Sequence, residues 1–546
     1  MRFSARLRPL LLISAPFAAA SIALGEETPA RAESAATPST AQPAPSGKQA
    51  LTIAGPTAEI ATLDPALVRD ADSSFLVRQM FSGLIRFNER LEPIPDLAEQ
   101  VQVSSDGLTY TFQLASDAAF ADGAPITPAD VVYSLTRAVD PATAGGDLSA
   151  LGGPTFLSGI KGYAEVASGA AASLAGVEAS GARTITIQVS EPDSAFLMKL
   201  ASTPAAVVDR RDVERGADWW KSANASGPFG ISDFTADDHL TFVPNARHHE
   251  GEPVLRTVTV LLGPKAVSPF KLYQAGGVDI ADVDLGGVDR VLAPDAGYLD
   301  QLRTTPLFSL DMIVFDPTKP PLDDPRIREA LLGAFPSAKV ADVTLNGHAT
   351  PATGVIPNGM LDRNWPARAM LFDPAAARDA IAKSRYGSVE NVPPIRVFVS
   401  GGGSAESLRD SVAETVGLKI EVISMEWPDF ISALSNKTLP NYELFWTADF
   451  PDPESILTVL FGSKRPDNYM NYSNPKFDAM LAQAAAENDA AKRASLYQAA
   501  QQALIDDHVV IPVLFDIGYT LVNPAVKGLV ITPMGIMSLA PVWLEH

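Results

Sequence analysis

Apolar and polar residues alternate over short stretches at several points in the chain. The period of two is clearest at Leu51–Ala54, at Leu108–Leu114, where Tyr110, Phe112 and Leu114 share a side, and at Thr184–Val189, where Ile185, Ile187 and Val189 do. These stretches predict half-buried strands. Two denser runs, Val258–Leu262 ahead of Gly263-Pro264 and Val509–Leu514, predict fully buried ones. Helices are announced by a capping side chain followed by proline at the first helical position, where the missing N–H costs nothing. Thr127-Pro128, Asp324-Pro325, Asp373-Pro374 and Asn474-Pro475 all read this way, and Leu496, Ala500, Ala503 and Leu504 form one stripe of a further helix at 491–505. Strands and helices alternate throughout, which predicts an α/β protein.

One transition is sharper than the rest. The β-prone run Tyr442–Thr447 gives way at once to Asp449-Phe450-Pro451-Asp452-Pro453-Glu454. Proline lacks the ladder donor and fixes φ, so the strand must end in a turn that presents carboxylates. A carboxylate there, beside Trp446 and Phe450, suits a ligand with a cationic end and an apolar body. Spacing alone leaves Asp449 equally open to a turn or helix-capping role. Tyr442, Leu444 and Trp446 fall on one face of the strand, so Trp446 reads as a core residue or as a cleft wall.

Composition narrows the function. Apolar residues make up 46% of the 546 and charged residues 19%, as in a globular protein of two or three domains. The net charge of −22 argues against nucleic-acid and anionic-membrane partners, which need a basic face. Arg2, Arg6 and Arg8 precede an apolar run, Leu10–Leu24, that is short for a membrane span and is followed by small residues. Residues 1–32 therefore read as a secretory signal peptide, cleaved after Gly25 or Ala32. Residues 33–49, rich in Ala, Ser, Pro and Thr, read as a flexible leader. There is no cysteine, hence no disulfide and no lipid-bearing cysteine anchor.

Catalysis through Asp449, Asp452 and Glu454 is disfavoured because no nucleophile elbow, zinc-protease helix or phosphate loop accompanies them. The one histidine pair, His248-His249 beside Glu250, lies in a predicted turn. Adjacent side chains diverge on most backbones, so no metal or other cofactor is expected.

The run W-x-A-D-F-x-D-P at 446–453, followed by NYMNYSNPKFD at 468–478, resembles the extracytoplasmic peptide-binding proteins of ABC importers, in particular the oligopeptide-binding branch. Further matches follow in order: TLDPA (62–66), DGAPITPADVVYSLTRAVDP (122–141), SEPDSAFLMKL (190–200), SGPFGISDF (226–234), DDPRIREAL (323–331), LNGHATPATGVIP (345–357) and FDPAAARDAIA (372–382). The resemblance implies a periplasmic-binding-protein type II fold, with two α/β lobes around a hinge and a smaller extra α/β domain. Lobe I is expected at 50–81, 188–263 and 512–546, the extra domain at 82–187, and lobe II at 264–511. The implied function is capture of oligopeptides in a closing cleft and delivery to the membrane subunits of an ABC permease and their ATPases. A freely diffusing monomer of this kind is expected in a periplasm.

The resemblance also implies site roles. Asp449 takes the ligand's α-ammonium, Phe445, Trp446 and Thr447 lie along the ligand main chain, Ala71 offers a second edge, and Lys319 meets the ligand carboxylate. Glu443 departs from the pattern, standing where an oligopeptide binder can carry arginine; Ser404–Glu406 supply no basic group, and Phe335-Pro336-Ser337 replaces a motif close to I-D-R. These departures leave a dipeptide, an opine-like compound, a glycoside or a metal chelate open as the solute.

Overall fold

The structure is a computed structural model and describes residues 48–341, 345–367, 372–465 and 467–545. The expected signal peptide and the leader up to residue 47 lie outside the described residues. The leader was expected to run to residue 49, yet Gln49 is only 2% exposed. Its amide grips the C-terminal strand in both directions, donating to the Leu544 carbonyl and accepting from the Leu544 N–H, both at 2.9 Å. Gln49 is thus a packed residue just ahead of the first strand, Ala50–Ala54.

The main sheet has twelve strands and is really two sheets sharing one long member, Val510–Val522. The first part of that strand pairs with Ser309–Phe315 (Val314↔Val510, Asp311↔Leu514). The later part pairs with Leu302–Pro306 (Pro306↔Ile517, Leu302↔Leu521) and Ile280–Asp282. The chain thus passes between the two halves at Leu307-Phe308 and again near Phe515-Asp516, giving two lobes joined by a pair of crossing segments.

The expected change of lobe at 263/264 does not coincide with a change of sheet. Strand Thr257–Leu261 sits inside one half, parallel to Ala50–Ala54. Gly263-Pro264 does end it, but the chain then forms helix Pro269–Gln274 and returns to the same sheet, where Ile280 bridges Ile53. A breaker marks the end of an element, not of a domain. The second expected crossing, at 511/512, is early by a few residues because the apolar run pairs within the other half first.

A separate four-stranded antiparallel sheet, in the order Ala98–Val103, Thr109–Leu114, Thr184–Gln188, Val177–Ser180, forms the smaller unit. Its core continues past the expected limit at 187, taking in Phe196, Leu200 and Val207. The capping devices hold at three of four sites: Asp324, Asp373 and Asn474 each accept from N–H groups of the first turn. At Thr127 the bond runs backwards, with Asp130 accepting from the Thr127 N–H at 2.8 Å and its hydroxyl at 2.6 Å. Among the described residues no helix is long and apolar enough to cross a membrane.

Candidate functional site

Strand Asn441–Thr447 organises the site. On one side all seven residues pair antiparallel with Ser309–Phe315, from Asn441↔Phe315 to Thr447↔Ser309. On the other side the neighbour Ile395–Val399 touches it through one bridge, Phe398↔Tyr442. That neighbour stops because Gly401 and Gly402 follow with φ of +81° and +85°, turning the chain into helix Ser404–Val416. Among the described residues, Glu443 to Thr447 therefore keep one edge without a strand partner. Unpaired main-chain donors and acceptors beside a cleft are a template for an added strand.

The two faces of this strand differ as the alternation predicts. Tyr442 and Leu444 are buried in the core and Trp446 packs against it. Glu443, Phe445 and Thr447 point the other way, and Phe445 is 54% exposed. Glu443 turns onto the start of helix Ser404–Val416 and accepts from the N–H groups of Gly403, Ser404 and Ala405 at 3.1, 3.3 and 2.8 Å. A carboxylate suits that helix end. Asp311, opposite Phe445, takes the Ser404 hydroxyl at 2.5 Å, but its Oδ1 is buried with no partner. Burial, the Glu443 charge and then Asp516 push the Asp311 carboxyl up to about 7.

At the strand's end the Asp449 Oδ2 is buried and unpartnered, as is the Trp446 Nε1 donor. Burial first, and the Asp467 charge second, push Asp449 up to about 7, while Arg69 pulls the other way. Arg69 comes from the opposite lobe, just before helix Ala71–Met80, and donates to the Ser149 carbonyl at 2.5 Å. The other acids of the turn are occupied. Asp452 pairs with Arg493 and accepts from the Glu454 N–H at 2.9 Å. Glu454 pairs with Lys199 at 2.7 Å, and Lys199 also holds Asp193 at 2.7 Å. Phe450, expected beside the ligand, is instead buried, with the Lys199 ammonium 5.3 Å from its ring centre. Both Asp452 and Glu454 are ion-paired, although the Glu454 Oε2 is itself buried without a partner.

The strand end thus brings together Asp449, Trp446, Phe445 and Thr447, but two expected residues stand apart. Ala71 is the first residue of helix Ala71–Met80 and offers no strand edge; the extended residue is Asp70, with φ −100° and ψ 157°, which caps the helix through Ser73 N–H. Lys319 lies in an exposed turn beyond Phe315, at the far end of the paired strands from Asp449. At about 3.3 Å per residue that separation is roughly 20 Å. Near Asp449 the cleft's cation is Arg69, which nothing in the local sequence singled out. Asp311 had a signal, since an aspartate inside the apolar run SLDMIVF must be paid for by function or by a partner.

The histidine pair also behaves unlike the expectation: the His248 and His249 rings lie 4.5 Å apart, and with Glu250 their ligand atoms fall within 4.8 Å of one another. Each is already engaged, Glu250 with Arg86, His249 with Asp96 at 2.9 Å and His248 with the Gly251 carbonyl at 3.3 Å.

The family model for bacterial extracellular solute-binding proteins, family 5 Middle, matches residues 92–468. The periplasmic murein peptide-binding protein MppA of Escherichia coli K12 is 28% identical over 485 residues, covering 86% of this chain and 88% of that protein. The periplasmic oligopeptide-binding protein OppA of the same organism is 26% identical over 494 residues, with 86% and 88% covered. The solved structure of the Escherichia coli murein tripeptide binding protein MppA superposes with a TM-score of 0.74 at 25% identity, over 91% of this chain and 98% of that one. The two lobes, the crossing segments and the smaller sheet are those of the type II binding-protein fold.

Proposed function

The chain belongs to the bacterial extracellular solute-binding proteins of family 5, and we propose that it captures oligopeptides in the periplasm for an ABC importer. The observation that carries this reading is a buried carboxylate oxygen of Asp449, lacking any partner, at the end of a strand whose next residues back have an open edge. A peptide fits both features at once. Its α-ammonium supplies the missing cation, and its main chain adds along Glu443–Thr447, which is indifferent to side-chain identity. Trp446 walls the same strand end. Lys319 would be reached only by an extended ligand of about six residues, again at about 3.3 Å each.

The strand pairing supports a division into lobe I at 50–81, 208–306 and 517–545, a smaller domain at 82–207 and lobe II at 309–515. Bending at Leu307-Phe308 and near Phe515-Asp516 would close the cleft, and ligand contacts from both sides favour the closed form. The closed monomer would then dock on the permease subunits. This chain acts by binding, with the ATPase partner supplying the energy. The relatives named above are described as periplasmic, and a signal peptide at residues 1–32 agrees with that location.

A second reading, a non-peptide cationic solute, is favoured by Asp311, Glu443 and Asp516, which give this wall three carboxylates and, among the described residues, no basic side chain at ion-pair distance. Native mass spectrometry of protein from a periplasmic extract, followed by thermal-shift screening of the stripped protein, separates the two. Peptides that co-purify and stabilise wild type but not Asp449→Ala support the first. A ligand at about a hundred times its dissociation constant adds roughly 2.7 kcal/mol. Stabilisation by a polyamine or other cation, and by no peptide, would replace the peptide reading with the second.

A further inference from the structure

Helix Ala71–Met80 begins at the cleft and ends at a different cavity, of about 120 Å³, between lobe I, the smaller domain and the segment around Met537. Arg78, in the last turn of the helix, lines it. Of the five N–H donors a guanidinium carries, one is used, toward the Ala201 carbonyl at 2.9 Å. No carboxylate lies within ion-pair distance of it among the described residues. Arginine stays charged, so a partly buried guanidinium without a counter-charge favours an anionic partner.

The same cavity is walled by Ser202 and Thr203, 7% and 6% exposed, and both hydroxyls are buried without a partner. Ser202 stands at the N-cap of the turn Thr203–Ala205, yet its hydroxyl makes no capping bond. Arg86 Nε is a further buried donor with no partner. The two acids on the wall already have partners: Glu250 pairs with Arg86, and Asp96 meets His249 and accepts from the Gly83 N–H at 3.1 Å. What remains open is a set of donors: the Arg78 guanidinium, which no carboxylate pairs among the described residues, and the Ser202 and Thr203 hydroxyls.

We propose that this cavity binds a small oxyanion, a phosphate, sulfate or carboxylate group, held by Arg78 with Ser202 and Thr203. Arginine and guanidinium-flanking hydroxyls match that chemistry, because charge-assisted bonds to oxyanions are among the strongest a protein makes. His248 and Glu250 also line the cavity, engaged with the Gly251 carbonyl and with Arg86. The bound anion would tie helix Ala71–Met80 to the stretch Ala201–Thr203, so its effect is on the union of the smaller domain with lobe I. Ligand capture at Asp449 is a separate event.

The test is a thermal-shift titration of desalted full-length protein with sodium phosphate, sulfate and acetate, each against sodium chloride at matched ionic strength. The expected result is a saturable rise in Tm with at least one oxyanion beyond that with chloride, and the ion acting at the lowest concentration identifies the group. Arg78→Met should abolish the oxyanion-specific rise while leaving peptide stabilisation intact. The Ser202→Ala/Thr203→Val double variant, which keeps the arginine, should raise the half-maximal concentration about tenfold. It also decides the matter if Arg78→Met does not fold. An equal rise with chloride, or a wild-type response in the double variant, would overturn the proposal.

Discussion

The turn after strand Asn441–Thr447 contains two treatments of buried acid within a few residues of each other. At its far side, Asp452 and Glu454 are each closed by a cation from another helix, Arg493 and Lys199. At its near side, Asp449, like Glu454, keeps an unpartnered buried oxygen but, among the described residues, has no cation at ion-pair distance. The far pair holds the turn still; Lys199, itself held by Asp193, bridges the smaller domain to lobe II through Glu454. On the proposed reading, a ligand's ammonium supplies the charge that the near acid lacks. Composition treats these three carboxylates alike, and pairing separates them into structure and site.

The largest expected effect tests the structural side. Arg493→Met leaves Asp452, which is fully buried, without its cation. Breaking a buried pair from one side costs about 3–5 kcal/mol, read as a lower urea midpoint. Adding Asp452→Asn should recover part of that loss. If Arg493→Met is silent, the distinction between closed and open acids fails at its first member.

On the site side, Asp449→Asn should weaken peptide binding by roughly 1.5–3 kcal/mol, or about ten- to a hundredfold, measured by calorimetry. The same change should stabilise the ligand-free protein by on the order of 1 kcal/mol at pH 8, since it removes a carboxylate that burial disfavours. Opposite signs for binding and stability mark a site residue, whereas Arg493→Met loses stability alone.

The pH dependence sharpens the same contrast. Asp449 and Asp311 are raised to about 7 in the fold from an unfolded value near 4. Between those values the folded state holds protons that the unfolded state has released, so the contribution to stability is full at low pH and is lost as pH rises through 7. A ligand ammonium needs the ionised form. Peptide affinity should therefore rise from pH 5.5 to 7.5, on the order of tenfold, with proton release that disappears in Asp449→Asn.

Much of this was legible in the chain and some was not, for physical reasons. Alternation and capping placed the elements because period and cap chemistry are local. The Pro-rich acidic turn announced where strand Asn441–Thr447 ends. Where the chain changes sheet is not local information: a breaker such as Gly263-Pro264 ends a strand without saying which sheet the chain rejoins. At Ala71, Asp before Ala does not tell an extended edge from a helix start, and here Asp70 caps a helix. The status of Asp449, Asp452 and Glu454 depends on Lys199 and Arg493, distant in sequence, and no local pattern carries that information. Arg69 and Arg78 were missed for the same reason: nothing near them in sequence tells which arginine lacks an acid.

The smallest expected effect bears on how the open edge works. Phe445 is the large side chain on the exposed face of the strand, opposite Asp311, and it is the first residue one would expect a ligand to stack on. If main-chain pairing along Glu443–Thr447 carries recognition, Phe445→Thr keeps the strand, since threonine is also a good β residue, and keeps the edge. Stability should move by less than about 0.5 kcal/mol, as for most exposed positions, and affinity for mixed peptides by only a few-fold. A loss as large as that of Asp449→Asn would instead make Phe445 an aromatic anchor and the cleft selective for side chains. The comparison would then shift, from an acid that waits for an ammonium to an acid and a ring that together wait for one particular residue.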